Sequence, residues 1–222
     1  MKKRTHNSRN KKNPSKPIVY ADIELDVLEQ HITTHFGDFA NVIHEIVSPD
    51  IHVDIAVIEP TSERNYYIMI TMGMGAYRMN VPPQLAEYKL DRAEMVICLH
   101  PDWKVMDGDE KWYWPLRWLK IMARLPLENN TWLGIGHTVP NGEPFADNTK
   151  LSGIGLLSSS VEFGEESNIC TMPNDNVINF YQMFPLHEEE MNFKCANNFD
   201  TLLNLMPEDI SVIVDVDRPS VV

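Results

Sequence analysis

The 222-residue chain contains 43% hydrophobic and 23% charged residues, proportions typical of a protein that folds around one core. Its net charge of −13 is unevenly distributed: residues 1–16 contain seven Lys or Arg and no acid, and residues 17–222 contain the other 12 basic residues and all 32 acids, a net charge of −20. Such an acidic body argues against nucleic acid as the partner of the folded domain, because phosphate binding needs a clustered basic surface. The acidity favours a basic protein or peptide as partner, or else it only keeps the chain soluble.

The N-terminal segment and the cysteines indicate where the protein resides. Residues 1–17 are basic and have almost no apolar side chains, so we predict a disordered basic extension there. No run approaches the ~20 apolar residues that span a bilayer, and the basic start is not followed by the apolar region of a signal peptide. The three cysteines, Cys98, Cys170 and Cys195, lack the spacing of a disulfide framework or a zinc site. We therefore expect buried, reduced thiols in a cytoplasmic protein that has no membrane partner.

The first half of the chain combines helical and strand-like patterns. Leu25, Leu28, Ile32 and Phe36 recur at helical spacing, and runs of β-branched residues between turn signals indicate strands. The predicted elements are a helix over 24–36, strands over 42–47, 51–60, 65–73 and 94–100, and a short helix over 83–90.

The second half begins with an amphipathic helix. Pro115 is predicted to be its first residue, because a proline there lacks only an N–H that has no helical partner. The helix ends near Leu125, and Trp118 and Met122 lie on its apolar face. A basic stripe expected to face solvent consists of Arg117, Lys120 and Arg124. The remaining predicted elements are strands over 131–139, 151–160, 177–186 and 210–216, a loop over 140–150, and one or two helices within 187–206.

The order of these elements predicts the fold class. Strands and helices alternate irregularly and no repeat of 20–50 residues is present, so neither a solenoid nor a doubly wound nucleotide fold fits. We predict a single α+β domain over residues 18–222, with helices packed on a mixed, mostly antiparallel sheet.

The stretch NVIHEIVSPDIHVDIAVIEPT, residues 41–61, places two histidines and two carboxylates among Ile and Val. If SPD connects a hairpin, His44 faces Asp54 and Ile46 faces His52. His44, His52 and Asp54 then share one face, while Glu45 lies on the opposite face among apolar side chains. Two histidines and a carboxylate resemble the facial triad of non-haem iron sites and also a His–Asp acid–base pair.

Three interpretations of this cluster remain open. It is the site of a metal-dependent enzyme, or an acid–base pair, or a structural network in which Asp54 orients a histidine. His137, at the end of the predicted strand over 131–139, is a further candidate member. Other catalytic signatures are missing, because the GMG sequence at 73–75 lacks the context of a phosphate loop and no nucleophile motif is present.

The aromatic residues near the predicted amphipathic helix allow two interpretations. Trp112, Trp114 and Trp118 are predicted to belong to the core by their helical spacing. An exposed part of this cluster could instead anchor a partner, since tryptophan and tyrosine dominate binding hot spots.

Several longer blocks together resemble one known family. They are HEIVSPDIHVDIAVIEPTSERNYYIMITMGMGAYRMNVP from residue 44, WPLRWLKIMARLPLENNTWLGIGHTVPNG from residue 114, INFYQMFPLHEEEMNFK from residue 178 and DVDRPSV from residue 215. In this order they resemble the Suppressor of fused (SUFU) domain in its compact bacterial form, over about residues 25 to 220. The resemblance assigns the polar cluster of the family motif to His44, Glu45, His52, Asp54 and His137.

The resemblance implies a single α+β domain that binds protein, without catalysis and without a cofactor or metal. In the animal relative this domain and a second one clamp a peptide of a transcription factor and retain it in the cytoplasm. The peptide-facing aromatic strand of that relative matches Tyr66 and Tyr67 here, which makes them expected partner contacts. The following segment, AYRMN, adds Tyr77 and Arg78 to these expected contacts. This segment lacks the acidic residue that the relative has there. The bacterial relatives are associated with toxin systems, in which SUFU-like proteins resemble immunity proteins. A basic toxin domain or peptide is therefore the expected partner, and the metal-dependent enzyme is the alternative.

Overall fold

A computed structural model of the chain describes residues 16–208 and 210–222. The predicted disordered extension lies outside these residues, except for Lys16 and Pro17. The helices are α1 (Asp22–His35), α2 (Glu110–Asn129), α3 (Ser160–Phe163), α4 (Glu188–Ala196) and α5 (Phe199–Leu203). The strands are β1 (Asn41–Ile43), β2 (Asp54–Ile58), β3 (Tyr67–Met72), β4 (Ala93–Leu99), β5 (Thr138–Pro140), β6 (Leu151–Ser158), β7 (Ile169–Thr171), β8 (Val177–His187) and β9 (Ile213–Val214). Short 3-10 helices cover Met74–Ala76, Pro83–Tyr88, Glu165–Ser167 and Pro173–Asp175.

The strands of the described residues form one mixed sheet in the order β1-β2-β3-β4-β8-β6-β5. Strand β7 pairs with β8, and β9 pairs with β4. The β4–β8 and β4–β9 pairs are parallel and the other pairs are antiparallel. This arrangement confirms the predicted α+β class with a mixed, mostly antiparallel sheet.

Helices cover both faces of this sheet, which explains the nearly continuous apolar runs of its central strands. Met69 of β3 and Ile97 of β4 point to the core beneath α2, where Trp118 packs. Ile70 and Cys98, one residue along on each strand, point to the opposite core, which contains residues of α1, α4 and α5. Because consecutive side chains of a strand alternate in direction, both sets must be apolar. No helix in the described ranges is long and apolar enough to cross a membrane.

Helix α2 begins earlier than the sequence pattern predicts. Its N-cap is Asp109, whose carboxylate accepts a hydrogen bond from the Lys111 N–H at 3.2 Å, so the prediction of Pro115 as the first residue is wrong. Both Pro115 and Pro126 lie inside the helix. An acidic N-cap supplies a side-chain acceptor for an N–H of the first turn, and this stabilises the start of the helix five residues upstream of the proline.

Four predicted strands are at most half as long in the structure. The segment 131–137 is a loop, and β5 begins only at Thr138. Gly136 has φ +80°, a conformation that interrupts a strand and that residues with a side chain rarely adopt. The predicted strands over 42–47, 51–60 and 210–216 are confined to β1, β2 and β9. The other predicted strands overlap β3, β4, β6 and β8, and the helices within 187–206 are α4 and α5, whereas β7 and α3 were not predicted.

Candidate functional site

The loop of residues 44–53 joins β1 to β2 and carries most of the predicted polar cluster. The ladder between the two strands ends at the Ile43–Ile55 pair, in the register predicted for the hairpin. Beyond this pair the chain leaves the sheet, so the alternation of side chains along a strand does not hold for the loop. His44, Glu45, His52 and Asp54 nevertheless come together.

Asp54 is the common acceptor of this cluster. Its Oδ2 lies 2.8 Å from His44 Nδ1, and its Oδ1 lies 2.8 Å from the Glu45 N–H and 3.1 Å from His52 Nε2. Burial alone would raise the pKa of the Asp54 carboxyl, but the hydrogen bond from the Glu45 N–H and the two neighbouring imidazoles lower it below its usual value. The ionised form of Asp54 therefore holds the start and the end of the loop together.

The position of Glu45 differs from the prediction, which placed it on the apolar face of the hairpin. It does not lie among apolar side chains, because its carboxylate forms a largely buried ion pair with Arg124 of α2. Arg124 Nη2 lies 2.7 and 2.8 Å from the two carboxylate oxygens, and Arg124 Nε lies 3.1 Å from Asp50 Oδ1. Arg124 also donates to the carbonyl of Ile51 at 3.0 Å. One arginine thus fixes the loop to α2 at three points.

The basic stripe of α2 is therefore only in part the solvent-facing surface that was predicted, since Arg117 is 34% exposed and Lys120 is partly buried. Arg124 is 12% exposed and neutralised by Glu45 and Asp50. Arg117 forms an ion pair with Glu110, with Nε 2.8 Å from Oε1. The stripe lacks the clustered, unneutralised cations that phosphate recognition needs.

The tip of the loop exposes two apolar residues. Ile46 is 98% exposed and Val47 is 77% exposed, although β-branched apolar residues are usually buried. Ser48, the next residue, lies 2.8 Å from Glu45 Oε2 and 2.7 Å from His52 Nδ1. The polar cluster thus supports a turn whose apolar side chains face outward.

The hydrogen bonds of the cluster favour its structural interpretation. Both ring nitrogens of His52 are engaged, Nδ1 with Ser48 and Nε2 with Asp54, and both oxygens of Asp54 accept hydrogen bonds. Ring nitrogens in such bonds are not free to bind a metal in this arrangement. Within the part of the chain that the structure describes, no group of three or more His, Cys, Asp or Glu side chains is placed to hold a metal ion.

His137 does not join the cluster, contrary to the prediction. It directly precedes β5, and β1 and β5 are the two ends of the main strand order. Its ring packs edge-on against Trp132 at 4.4 Å between centroids. Burial, followed by the positive charge of Lys194, lowers the pKa of His137. It is therefore a separate, half-buried histidine near the opposite end of the main strand order.

The GMG turn after β3 binds a carboxyl group of the protein itself, that of Glu94. The N–H groups of Gly73 and Gly75 each donate to Glu94 Oε1 at 3.0 Å, and the Tyr20 hydroxyl donates to the same oxygen at 2.5 Å. The Thr71 hydroxyl donates to Oε2. Burial raises the pKa of the Glu94 carboxyl, and these four hydrogen bonds oppose that shift. The turn is thus a structural carboxylate site.

This turn also abuts the polar loop. Gly73 has φ +146°, and a Cβ built on it would lie 1.9 Å from the carbonyl oxygen of His52. Only glycine permits this close approach of two backbone segments. This close approach to His52 explains why residue 73 is a glycine, so no phosphate ligand is needed to explain it.

The predicted partner-binding residues do not share one surface. Tyr66 packs against the core beneath α1, and its hydroxyl donates to Glu162 Oε1 at 2.5 Å. Tyr67 and Tyr77 pack against the opposite core, beneath α2. Arg78 is 55% exposed and pairs with Asp91 and Asn176. All three tyrosines are half-buried.

The cysteines match the predicted free state, but not all of them are buried. Cys98 and Cys170 are buried and Cys195 is exposed. Burial raises the pKa of the Cys170 thiol to about 11, and it also raises that of Cys98. Neither buried thiol is an activated nucleophile.

Sequence reasoning missed the side chains that link distant segments. Besides Arg124, these are Arg92, which pairs with Glu24 at 2.7 Å, and Arg218, which pairs with the buried Glu190 at 2.6 Å. Arg92 and Glu190 stand among other charged residues, in DRAE and HEEEM, so no local signal marks them as buried. Which acid pairs with which arginine depends on tertiary packing, and no local spacing encodes it.

Comparison with known proteins relates this geometry to a family. The family model described as Suppressor of fused protein (SUFU) matches residues 49–219, which include part of the polar loop, β2 to β9 and Arg218. The chain belongs to the SUFU family. An uncharacterised protein of Ureaplasma parvum is 27% identical to it over 206 residues, which cover 91% of this chain and 98% of the relative.

Solved structures of SUFU proteins share this fold. A SUFU homologue of Neisseria gonorrhoeae superposes with a TM-score of 0.63 at 16% identity, covering 90% of this chain and 97% of that one. A chain of the Sufu–Fu complex superposes with a TM-score of 0.63 at 13% identity, covering 93% of both. Drosophila Suppressor of Fused gives a TM-score of 0.55 at 14% identity and covers 89% of this chain, which spans 50% of that protein. The predicted family and fold are thus confirmed.

Proposed function

We propose that this SUFU protein is a non-enzymatic binding module that recognises a basic protein or peptide. The observation that carries the proposal is the net charge of −20 on residues 17–222, from 12 basic and 32 acidic side chains. A relative in a protein complex, Sufu with Fu, supports protein binding as the general mode. Opposite charge steers a basic partner to an acidic surface and raises its association rate.

The internal ion pairs raise the ratio of acidic to basic side chains that remain unpaired and can meet a basic partner. Within the described residues, six basic side chains pair with acids of the same chain. Three of these, Arg92, Arg124 and Arg218, are 5–12% exposed, so their positive charge is withdrawn from the surface. Each pair removes one acid and one base, and the excess of acids stays on the solvent-facing side.

We propose Tyr66, Tyr67, Tyr77 and Arg78 as partner contacts. Aromatic side chains and arginine dominate binding hot spots. Because Tyr66 packs against one core and Tyr67 and Tyr77 against the other, one compact partner segment reaches at most a subset of them. Alanine variants of each residue, compared by dissociation rate, identify that subset.

The finer form of the proposal is an immunity protein that neutralises a basic toxin domain in the cytoplasm. Many toxin nucleases present a basic face to nucleic acid, and an acidic protein can cover such a face. Co-expression tests this directly: a toxin captured by the chain should arrest growth when expressed alone, and growth should return when both proteins are expressed. Continued arrest would exclude neutralisation while leaving binding intact.

The general proposal is tested by capture followed by kinetics. The tagged full-length chain is used as bait in a lysate of the source organism, and bound proteins are identified by mass spectrometry. We expect a basic partner whose association rate falls as the Debye length shrinks from ~10 Å at 0.1 M salt to ~3 Å at 1 M. An acidic partner, or an association rate that does not change across the salt series, would contradict the proposal.

A further inference from the structure

An apolar groove lies between the start of α2 and the C-terminal strand, away from the polar loop. Its cavity of about 500 Å³ is lined by Trp103 and Trp112 on one side and by Ile213 and Val214 of β9 on the other. Within the described strands, β9 is paired only with β4. We refer to this cavity as the Trp103–Trp112 groove. Its volume accommodates one or two side chains of a partner rather than a whole domain.

The aromatic side of the groove is preorganised. The Trp103 Nε1–H donates to the carbonyl of Trp112 at 2.8 Å, and the two rings meet edge-on with centroids 5.4 Å apart. Trp103 is only 6% exposed, so its ring is fixed by packing.

The rim of the groove is acidic. Its lining includes Asp102 and Asp215 but no lysine or arginine. Asp102 is 91% exposed and Asp215 is also exposed, so both carboxylates are accessible to a partner. His100 lies 3.5 Å from Asp102 on the same rim.

The Trp112 ring already attracts cations of its own chain. Lys104 Nζ lies 5.6 Å and Lys111 Nζ 5.8 Å from its centroid. These distances are within the range of cation–π attraction, and a partner arginine has to displace these two exposed lysine side chains to stack on the ring. A guanidinium group suits such a surface better than an ammonium, because its plane stacks on an indole while its N–H groups reach a carboxylate.

We propose that the Trp103–Trp112 groove binds an extended segment of the partner that presents an arginine between apolar side chains. The apolar side chains cover Val214 and Ile213, and the arginine stacks on Trp112 and pairs with Asp102 or Asp215. This proposal rests on the proposed function, since it takes the basic partner as given and assigns where one segment of it binds.

The groove is tested with a short synthetic peptide in which leucine and arginine alternate, and with a counterpart that has glutamate in place of arginine. The chain has five tryptophans, so an ¹⁵N spectrum of the whole protein resolves the indole N–H signals individually. We expect the arginine peptide to shift the Trp112 signal, assigned with Trp112→Phe, and the glutamate peptide to leave it unchanged. A Trp112 signal that fails to move, or that moves equally with both peptides, would overturn the proposal.

Matched charge variants distinguish binding of the peptide in the groove from its attraction by the overall negative charge. Asp102→Lys with Asp215→Lys reverses the rim, and Glu63→Lys with Glu87→Lys makes the same change in net charge at exposed sites outside the groove lining. We expect about a tenfold or larger loss of peptide affinity for the rim variant beyond the loss in the control. Equal affinities of the two variants would refute the groove. Asp102→Lys alone, at a position whose side chain is 91% exposed, repeats the test if the double variant does not fold.

The captured partner distinguishes failure of the groove from failure of the proposed function. If a basic, salt-sensitive partner binds the rim and control variants equally, the groove is refuted and the function stands. If the captured partner is acidic, the proposed function fails regardless of the peptide result. A concentration-dependent dimer whose formation is lost only in the rim variant would assign the groove to a second copy of the chain and refute the arginine segment.

Discussion

Replacing Arg124 by methionine tests whether the polar loop is fixed to α2 by a buried ion pair. Methionine keeps an unbranched side chain with high helix propensity, so α2 itself is little affected. The substitution leaves Glu45, whose side chain is 9% exposed, without its cation. Removal of one partner of a buried pair costs about 3–5 kcal/mol, because the remaining charge stays buried.

The geometry places the expected loss toward the lower part of that range. Glu45 keeps a hydrogen bond from the Ser48 hydroxyl at 2.8 Å and one from the Val53 N–H at 3.2 Å. These bonds stabilise the carboxylate after the arginine is removed, so we expect a loss of about 2–4 kcal/mol in the free energy of unfolding. This corresponds to roughly a 30- to 900-fold change in the folding equilibrium.

The assay is urea unfolding, followed by tryptophan fluorescence and by far-ultraviolet circular dichroism. Arg117→Met is the matched control, because Arg117 lies on the same helix and pairs with Glu110 in a geometry where both side chains are at least 34% exposed. An exposed pair contributes less than about 1 kcal/mol. If Arg124→Met costs no more than Arg117→Met, the loop is not held by this ion pair. Adding Glu45→Gln to Arg124→Met should recover part of the loss, since no buried charge is then left unpaired.

Three further outcomes follow from the structure. Asp54→Ala should cost about 1–3 kcal/mol in urea unfolding, because the Glu45 N–H and two imidazoles lose their acceptor. The pKa of the Asp54 carboxyl is lowered in the folded state, so its contribution to the free energy of unfolding is present above its unfolded pKa and is lost as the pH falls through the folded pKa. A difference in the free energy of unfolding between the parent and Asp54→Asn that persists unchanged in acid would contradict this. Protein purified without a chelator should contain well under one transition metal per chain, and a full equivalent lost together with Asp54 would favour the metal-dependent enzyme. Cys195 should react at once with a thiol reagent in the native protein, whereas Cys98 and Cys170 should react only on unfolding, as counted by absorbance; fast reaction of all three would show that the core opens.

The central strands were predictable because burial on both faces leaves a strong local pattern. The run over 65–73 contains β3, and the run over 94–100 overlaps nearly all of β4. Both runs are almost continuously apolar, as expected for strands covered by helices on two sides. The hairpin register was also predictable, because taking SPD as the connection between the strands fixes which residues face each other, and the observed pairs up to Ile43–Ile55 follow it.

Three features were not predictable from local sequence patterns: the start of α2, the end of extended structure in the segment 131–139, and the position of Glu45. Pro115 is a strong N-terminal signal, yet Asp109 caps the helix so that it starts at Glu110, five residues before the proline. The strand predicted over 131–139 contains Gly134 and Gly136, and the positive φ of Gly136 ends any extended run there. The position of Glu45 could not be predicted, because its partner Arg124 lies 79 residues away and only tertiary packing brings them together.

The buried arginines connect the stability of this fold to its proposed function. Arg92 links α1 to the turn after β3, through Glu24 and the carbonyl of Gly75. Arg124 links α2 to the polar loop, and Arg218 links the C-terminal segment to Glu190 of α4. These cations hold the fold together and are not presented to solvent, whereas most acids are not needed for internal pairing. Substitutions of the arginines should therefore reduce stability with little direct effect on partner binding. Substitutions of exposed acids should weaken partner binding with little effect on stability. The two properties separate in this way because they depend on different charges of the same chain.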